Sequence, residues 1–396
     1  MNAAHPLRVL LVDPSLFTEP YDAALTDGLI EAGVTPTWAV RPAREGDREI
    51  IAREHIDDFF YRHVDQLTGW PRCLRATAKG LAHALGLAKL LRRVISRRPD
   101  VVHFQWTVVP PLDALAMLLI RNFCPVVVTV HDTTPYNGER LSVLQDLAFD
   151  LPIQLADRVI VHTLSARDTL VGRRISARKI SVIPHGPLEL SPASRKPTTP
   201  HSDGRWTFVL FGELKHYKGI DVLVEAVRLL PLELRKQARF VVAGRPRMDL
   251  APLMSRIAEL QLEETIEVRP QRLSEEEMES LFAMTDCYLF PYRQIDASGV
   301  YFLVKGRGKW LIATRVGIFA EDLQDGIDGD LIPAEDAASL AAALARTITE
   351  RPVPESRTVA DGWSSIGRAT STVYQEGIAA RVAPSSALSQ RMMRLK

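Results

Sequence analysis

The sequence predicts an α/β protein of two Rossmann-like domains, each a parallel sheet wound with helices. Three observations carry this. At 396 residues the chain exceeds one ordinary hydrophobic core and asks for two. Two series of short apolar runs alternate with amphipathic segments, one opening at Leu7-Arg8-Val9-Leu10-Leu11-Val12 and the other at Thr207-Phe208-Val209-Leu210-Phe211. Strand, helix, strand in that order implies parallel neighbours joined by crossovers. Between the two series, residues 188–205 are rich in Pro, Ser and Thr and have no period, as a linker does. The division that follows is 1–190 and 206–375 for the domains, 191–205 for the linker and 376–396 for a tail.

Composition narrows the class. Hydrophobic residues make up 46% and charged residues 24%, the proportions of a globular protein. A formal net charge of +1 exerts no pull toward nucleic acid, and no recognition motif for it occurs. Cys73, Cys124 and Cys287 lack metal-ligand spacing, so no metal site is expected. Residues 1–6 carry no basic region, and Val9-Leu10-Leu11-Val12 is too short for the core of a signal peptide. No apolar run nears the roughly 18 residues of a membrane span. A cytoplasmic protein is expected, touching at most the inner face of the cell membrane.

In the first half, Asp13-Pro14 ends the opening strand, a helix is expected from Tyr21 to Ala32, and Thr35 to Val40 reads as the second strand. No GxGxxG follows the first strand, so the dinucleotide fingerprint is absent. Residues 71–98 predict a long helix or helix pair bearing Arg72, Arg75, Lys79, Lys89, Arg92, Arg93, Arg97 and Arg98, with no acidic residue before Asp100. Such a helix suits an anionic lipid surface. A solvated charged face on a core helix is the plainer alternative. Strands follow at 100–104, 126–130, 157–161 and 179–184, and the last three end in His131-Asp132-Thr133, His162-Thr163 and His185-Gly186. Ligands of open α/β sheets bind at carboxyl strand ends, so several polar ends together suggest a cleft along one edge, with His131 a candidate site residue.

In the second half, the strand 207–211 runs into Gly212-Glu213-Leu214-Lys215-His216-Tyr217-Lys218-Gly219 and then a helix from Ile220 to Leu230. A Gly- and Lys-bearing loop before a helix suits phosphates, although GxxxxGK[ST] is not matched. Two solvated lysines on a turn is the alternative. Strands at 240–244 and 265–268 and helices at 250–261 and 275–284 lead to Tyr288-Leu289-Phe290, a buried strand that Pro291 ends. A polar loop with Asp296 follows, then Ser298 as N-cap of a helix from Gly299 to Arg307 and a strand at 311–314. The first amides of that helix have no intrahelical partner and point at whatever lies before them. An ordinary capped helix has the same local pattern. A helix at 334–349 and a last one from Trp363 to Gln375 complete the reading.

Together these segments resemble the retaining GT-B glycosyltransferases of family 4, most strongly from Phe208 to Leu340. The carrying pieces, in order, are Phe211-Gly212 through Lys218-Gly219, Val241-Val242-Ala243-Gly244, Ala283 to Tyr292 with Asp286 and Pro291-Tyr292, Ser298-Gly299-Val300, and Ile312-Ala313-Thr314, then Gly317, Glu321, Gly326 and Gly329. His131-Asp132-Thr133-Thr134-Pro135 and Ile183-Pro184-His185-Gly186 match more weakly.

The resemblance implies two Rossmann-like domains facing across a cleft, the first binding the acceptor and the second the nucleotide-sugar donor. It implies metal-independent, retaining transfer of a hexose to a glycan or lipid-linked saccharide acceptor, in exopolysaccharide or cell-surface glycan synthesis, with no cofactor. By position, Lys215 and Lys218 would neutralise the leaving diphosphate, with Gly212, Ser298 and the amides of Gly299 and Val300 completing the cradle. His131 would contact the donor sugar, and Asp296, near the first acidic position of the family's E-x7-E pattern, its hydroxyls. There are departures. The second acidic position falls on Leu303, Glu213 stands where most members have Arg, and Trp310 stands where Pro is common. Leu303 and Glu213 favour the alternative of an inactive glycosyltransferase-like scaffold subunit, while Gly306-Arg307-Gly308-Lys309 offers either further phosphate contacts or the mark of a decayed site.

Overall fold

The computed structural model describes residues 5–44, 50–62, 64, 71–134, 148–190, 204–355 and 362–382, without the side chains of residues 72 and 73. Pro135, nearly all of the expected linker and the chain beyond 382 lie outside the described residues. Two compact units form, one from residues 1–186 with 361–396, the other from 187–360.

The first unit holds a seven-stranded parallel sheet. Its strands are β1 (Leu7–Asp13), β2 (Val34–Val40), β3 (Ile56–Asp58), β4 (Val101–Phe104), β5 (Val126–Val130), β6 (Arg158–Val161) and β7 (Ile180–Val182), in the order β3-β2-β1-β4-β5-β6-β7. Side chains alternate across a strand, so β1 serves two cores. Leu10 and Val12 pack with Leu90 and Val94 of the helix Arg72–Arg97 and Met117 of the helix Pro110–Ile120. Val9 and Leu11 pack on the other face with Leu25 and Leu29 of the helix Glu19–Glu31.

That second face is closed by the last described helix, Trp363–Val382, whose Ile366, Val373 and Tyr374 belong to the same core. Sequence order had put this helix in the second domain and ended it at Gln375. It runs seven residues further and docks on the first unit, where Gly28 and Gly367 bring the two helix backbones together. The buried Tyr374 hydroxyl lies 2.8 Å from His103 Nδ1, which satisfies both polar groups.

The second unit holds a six-stranded parallel sheet of β8 (Trp206–Phe211), β9 (Ala238–Ala243), β10 (Ile266–Arg269), β11 (Cys287–Phe290), β12 (Trp310–Thr314) and β13 (Gly329–Ile332), ordered β10-β9-β8-β11-β12-β13. Phe208 and Leu210 face one core with Leu223 and Val227 of the helix Ile220–Leu229 and Leu344 of the helix Ala337–Glu350. Val209 faces the other, with Phe282 of the helix Glu275–Met284 and Tyr301 of the helix Gly299–Val304. Residues 188 and 190, placed in the first domain or linker by composition, join this core. The helix after Ser298 is shorter than expected: α geometry stops at Val304 and a 3-10 turn covers Lys305–Arg307.

In both sheets the strand order reverses once, between β1 and β4 and between β8 and β11. Loops leaving the carboxyl ends of such a pair diverge to opposite faces and open a crevice, the usual ligand site of an open α/β sheet. No helix among the described residues is long and apolar enough to cross a membrane.

Candidate active site

At the β8/β11 reversal, the loop Gly212–Gly219 meets the loop that begins at Pro291. Gly212 sits at φ +109°, which L side chains rarely adopt, and a Cβ there would lie 2.9 Å from Val300 Cγ2 and 3.1 Å from Lys218 Nζ. Three predicted donor residues thus converge on one point, and the missing side chain leaves the backbone open there. Ser298 caps the helix Gly299–Val304, its hydroxyl accepting from Tyr301 N at 3.4 Å.

Lys218 is not the solvated lysine its type suggests. Only 3% of it is exposed. Its Nζ donates to the Phe211 carbonyl at 3.2 Å and shares a short bond with the Tyr292 hydroxyl, whose ring centroid lies 4.5 Å away. Burial, helped by the charge of Lys215 and opposed by Glu213, brings its pKa down to about 7.

Lys215 is not free either. Its ammonium lies 3.4 Å from Glu213, which also accepts from Arg247 at 2.7 Å. Burial works against the Glu213 carboxylate, but Arg247 and Lys215 outweigh it and hold the pKa below the usual range. Glu213 is therefore the shared anion of an internal ion cluster.

Asp296 follows β11 in a loop pinned by its own carbonyl, which accepts from Ile318 N at 2.9 Å. Leu303 packs into the apolar core and leaves that position without a carboxylate. The basic helix end is accounted for internally. Arg307 forms a fork–fork pair with Glu279 at 2.8 and 2.9 Å, and Lys305 pairs with Asp322. Arg307 thus stabilises the unit and is not held out toward a phosphate, as its place in the Gly-rich run suggested. Trp310 opens β12 and donates to Asp330 at 3.1 Å.

In the first unit, three of the polar strand ends do gather. His131, His162 and His185 surround Tyr21, with ring centroids 5.0, 5.5 and 4.9 Å from it, and Trp363 closes the box at 5.1 Å. Trp106 stacks on His131 at 4.9 Å.

Both His131 nitrogens are engaged, and one carbonyl sets the direction of the chain. The Ile183 carbonyl can only accept, so His162 Nδ1–H donates to it at 2.9 Å. The other nitrogen of a neutral His162 must then accept, from His131 Nδ1–H at 3.2 Å. His131 Nε2 in turn accepts, and the Gln105 side-chain amide 3.0 Å away must present its nitrogen. Reversing the amide in this way also employs the Gln105 nitrogen that otherwise lies buried without a partner.

Burial, reinforced by mutual repulsion with His162, His185 and His103, holds His131 neutral at pH 7. Burial likewise brings His103 and His185 to about 3 and His162 to about 4. Beside the box, Asp13 and Asp22 are buried and hydrogen-bonded to each other. Desolvation pushes both carboxyls up; the charge of Asp13 adds to this for Asp22, while hydrogen bonds from Thr18, Asp22, Phe17 and Ser15 draw Asp13 partly back. Tyr21, Trp106, Gln105 and Trp363 were not singled out in the sequence, because aromatic and amide residues in helices and loops are ordinary. His162 and His185 carried the visible signal of ending strands.

The family model of Glycosyltransferase Family 4 matches residues 21–186, and that of Glycosyl transferases group 1 matches residues 205–350. The comparison with curated proteins gives no match. Among solved structures, Alr3699/HepE of Anabaena, in complex with UDP and glucose, is 16% identical, with 97% of this chain and 100% of that chain covered at a TM-score of 0.65. The catalytic domain of starch synthase IV from Arabidopsis thaliana, bound to ADP and acarbose, is 12% identical, with 95% and 100% covered at 0.70. Sucrose-phosphate synthase from Thermosynechococcus elongatus is 16% identical, with 98% and 100% covered at 0.60. At such identities these likenesses speak for the fold.

Proposed function

We propose, since this chain belongs to the family 4 glycosyltransferases and has their GT-B fold, that it moves a hexose from a nucleotide-sugar to a glycan or lipid-linked saccharide acceptor. In this reading the transfer retains the anomeric configuration, uses no metal ion and serves exopolysaccharide or cell-surface glycan synthesis. The observation that carries it is the convergence of Gly212, Lys218 and Val300 at the β8/β11 reversal. The donor diphosphate lies against the bare backbone of Gly212. Lys218, Lys215 and the amides of Gly299 and Val300 stabilise the charge that grows on the leaving group. Ser298 holds the helix that presents those amides. Asp296 contacts sugar hydroxyls, and His131, a neutral ring with both nitrogens bonded in the free protein, does so by exchanging its bond to Gln105 for one to the sugar. The complexes of Alr3699/HepE with UDP and of starch synthase IV with ADP support a nucleotide-sugar donor.

Calorimetric titration with UDP and GDP, on the native protein and on a Lys215→Ala, Lys218→Ala variant, tests this. One nucleotide is expected to bind, and the variant to lose about 100-fold or more, as two charge-assisted hydrogen bonds would give. A folded protein that binds neither nucleotide would remove the reading. It would favour the scaffold alternative, for which the Glu213–Lys215 pair and the apolar Leu303 speak.

A peripheral membrane contact is part of the same reading. On the helix Arg72–Arg97, Arg93 and Arg97 are taken by Asp57. Leu74, Leu81 and Leu85 are exposed, with Lys79, Lys89 and Arg92 among them, and the helix Pro110–Ile120 exposes Leu115, Leu118 and Leu119. Basic residues at an anionic surface contribute about 1 kcal/mol each. Sedimentation with phosphatidylglycerol-containing vesicles should retain the protein, pure phosphatidylcholine should not, and Leu81→Glu with Leu85→Glu should release it. Equal sedimentation with both vesicle types would count against the contact.

A further inference from the structure

We propose that Lys218 enters the donor complex as a neutral amine and takes up one proton from solvent as the diphosphate binds. The Ser298–Tyr292–Lys218 hydrogen bonds reverse direction in the process. The inference rests on the donor-site reading above and adds a proton to it.

Buried charge and hydrogen-bond direction carry the inference. Lys218 Nζ is buried and has two hydrogen-bond partners, the Phe211 carbonyl and the Tyr292 hydroxyl. The Tyr292 hydroxyl is bonded in turn to the Ser298 side chain. A neutral amine fits this arrangement: one N–H donates to Phe211, the lone pair accepts from Tyr292, which accepts from Ser298, and the second N–H lies toward the opening at Gly212. An ammonium also leaves one N–H toward that opening, and it must turn the Tyr292 hydroxyl round. It further sets a full positive charge among neutral partners, which is costly in a buried place.

A diphosphate oxygen at Gly212 supplies the missing acceptor and the missing negative charge together. The ammonium then donates to Phe211, Tyr292 and the ligand. Tyr292 donates to Ser298, and the Ser298 hydroxyl proton is turned outward.

No neighbouring charge substitutes for the ligand. Glu213, in the same loop, is neutralised by Arg247 and Lys215, and Lys215 repels a charge on Lys218. Tyr217 and Tyr292 offer ring faces, and Val300 adds an apolar contact. Arg293, next after Tyr292, is held by Asp221 and Glu335. The burial that brings Lys218 to about pH 7 places the transition in a measurable range.

The sign follows. Above pH 7 the free site is mostly amine and the bound site ammonium, so affinity falls as pH rises, by about tenfold per unit, until the pKa of the complex is reached. Titration with UDP and GDP at pH 7.5, 8.0 and 8.5, where their phosphates are fully ionised, is run in buffers of different ionisation enthalpy. The expected result at pH 8.0 is about 0.9 proton taken up per nucleotide bound by the native protein. Lys218→Met and Lys218→Arg should take up none, since neither side chain titrates there. Nucleotide binding without proton uptake, and with affinity unchanged from pH 7.5 to 8.5, would overturn the proposal and leave the donor site standing. No binding of either nucleotide at any of these pH values would remove both.

Discussion

Lowering the pH from 7 to 5 should cost the first unit roughly 4–6 kcal/mol through its buried histidines, before the offset from its buried aspartates. His103, His162 and His185 are buried and neutral, with pKa values brought to about 3 or 4, while an unfolded histidine titrates near 6.5. Above pH 6.5 neither state binds the proton and stability is complete. Below it the unfolded chain takes up protons that the folded box refuses, so stability falls until about pH 4, where the folded rings also protonate. Asp13 and Asp22 act in the opposite sense, because their raised pKa values relieve a buried charge as pH falls, but they offset only part of three histidines. Among the described residues the second unit has one histidine, His216, and it is not buried. Hydrogen exchange read peptide by peptide should therefore show β4 to β7 losing protection at pH 5 while β8 to β12 keep theirs. Equal loss in both sheets, or none in the first, would refute the assignment.

Gly219→Ala should cost about 3 kcal/mol or more and abolish nucleotide binding even in molecules that remain folded. Gly219 ends the lysine loop at φ +66°, and a Cβ there would stand 2.0 Å from the Pro291 carbonyl oxygen. The clash is with backbone, so no rotamer relieves it, and the loop must leave Pro291. Lys218 would then part from Tyr292, which follows Pro291 directly. Gly326→Ala supplies the control, since Gly326 has φ +79° but nothing within 4 Å of its Cβ position. That substitution should cost only the left-handed backbone term, about 1 kcal/mol. Denaturant midpoints that fall equally in both variants would show that conformation alone, and not the contact with Pro291, makes glycine necessary at 219.

The alternation of apolar runs made most strands legible because a strand buried on both faces has no other way to be written. β3 escaped because Ile56-Asp57-Asp58 is too polar to look like a strand. Asp57 is there to bind Arg93 and Arg97. β13 escaped because Gly329 reads as a turn, whereas it lacks a side chain to let the Leu311 backbone approach. In the site, residue types and spacing brought out Gly212, Lys218 and Ser298. They said nothing of Tyr292, whose role depends on where the loop folds back. Charges were the least legible feature, because Lys215 and Arg307 find Glu213 and Glu279 only in three dimensions. The allegiance of the helix Trp363–Val382 was hidden for the same reason: its hydrophobic stripe shows that it docks, not on which sheet.

That allegiance affects the order in which the molecule can be completed. Residues 187–360 form one unbroken stretch, so their sheet can close as soon as it has left the ribosome. The first unit, although synthesised earlier, lacks one wall of its Tyr21 box and the partner of His103 until Trp363 and Tyr374 have been added. During synthesis the earlier-made half is the later-finished one. It waits with Leu25, Leu29 and Val127 uncovered on the side where the final helix will lie.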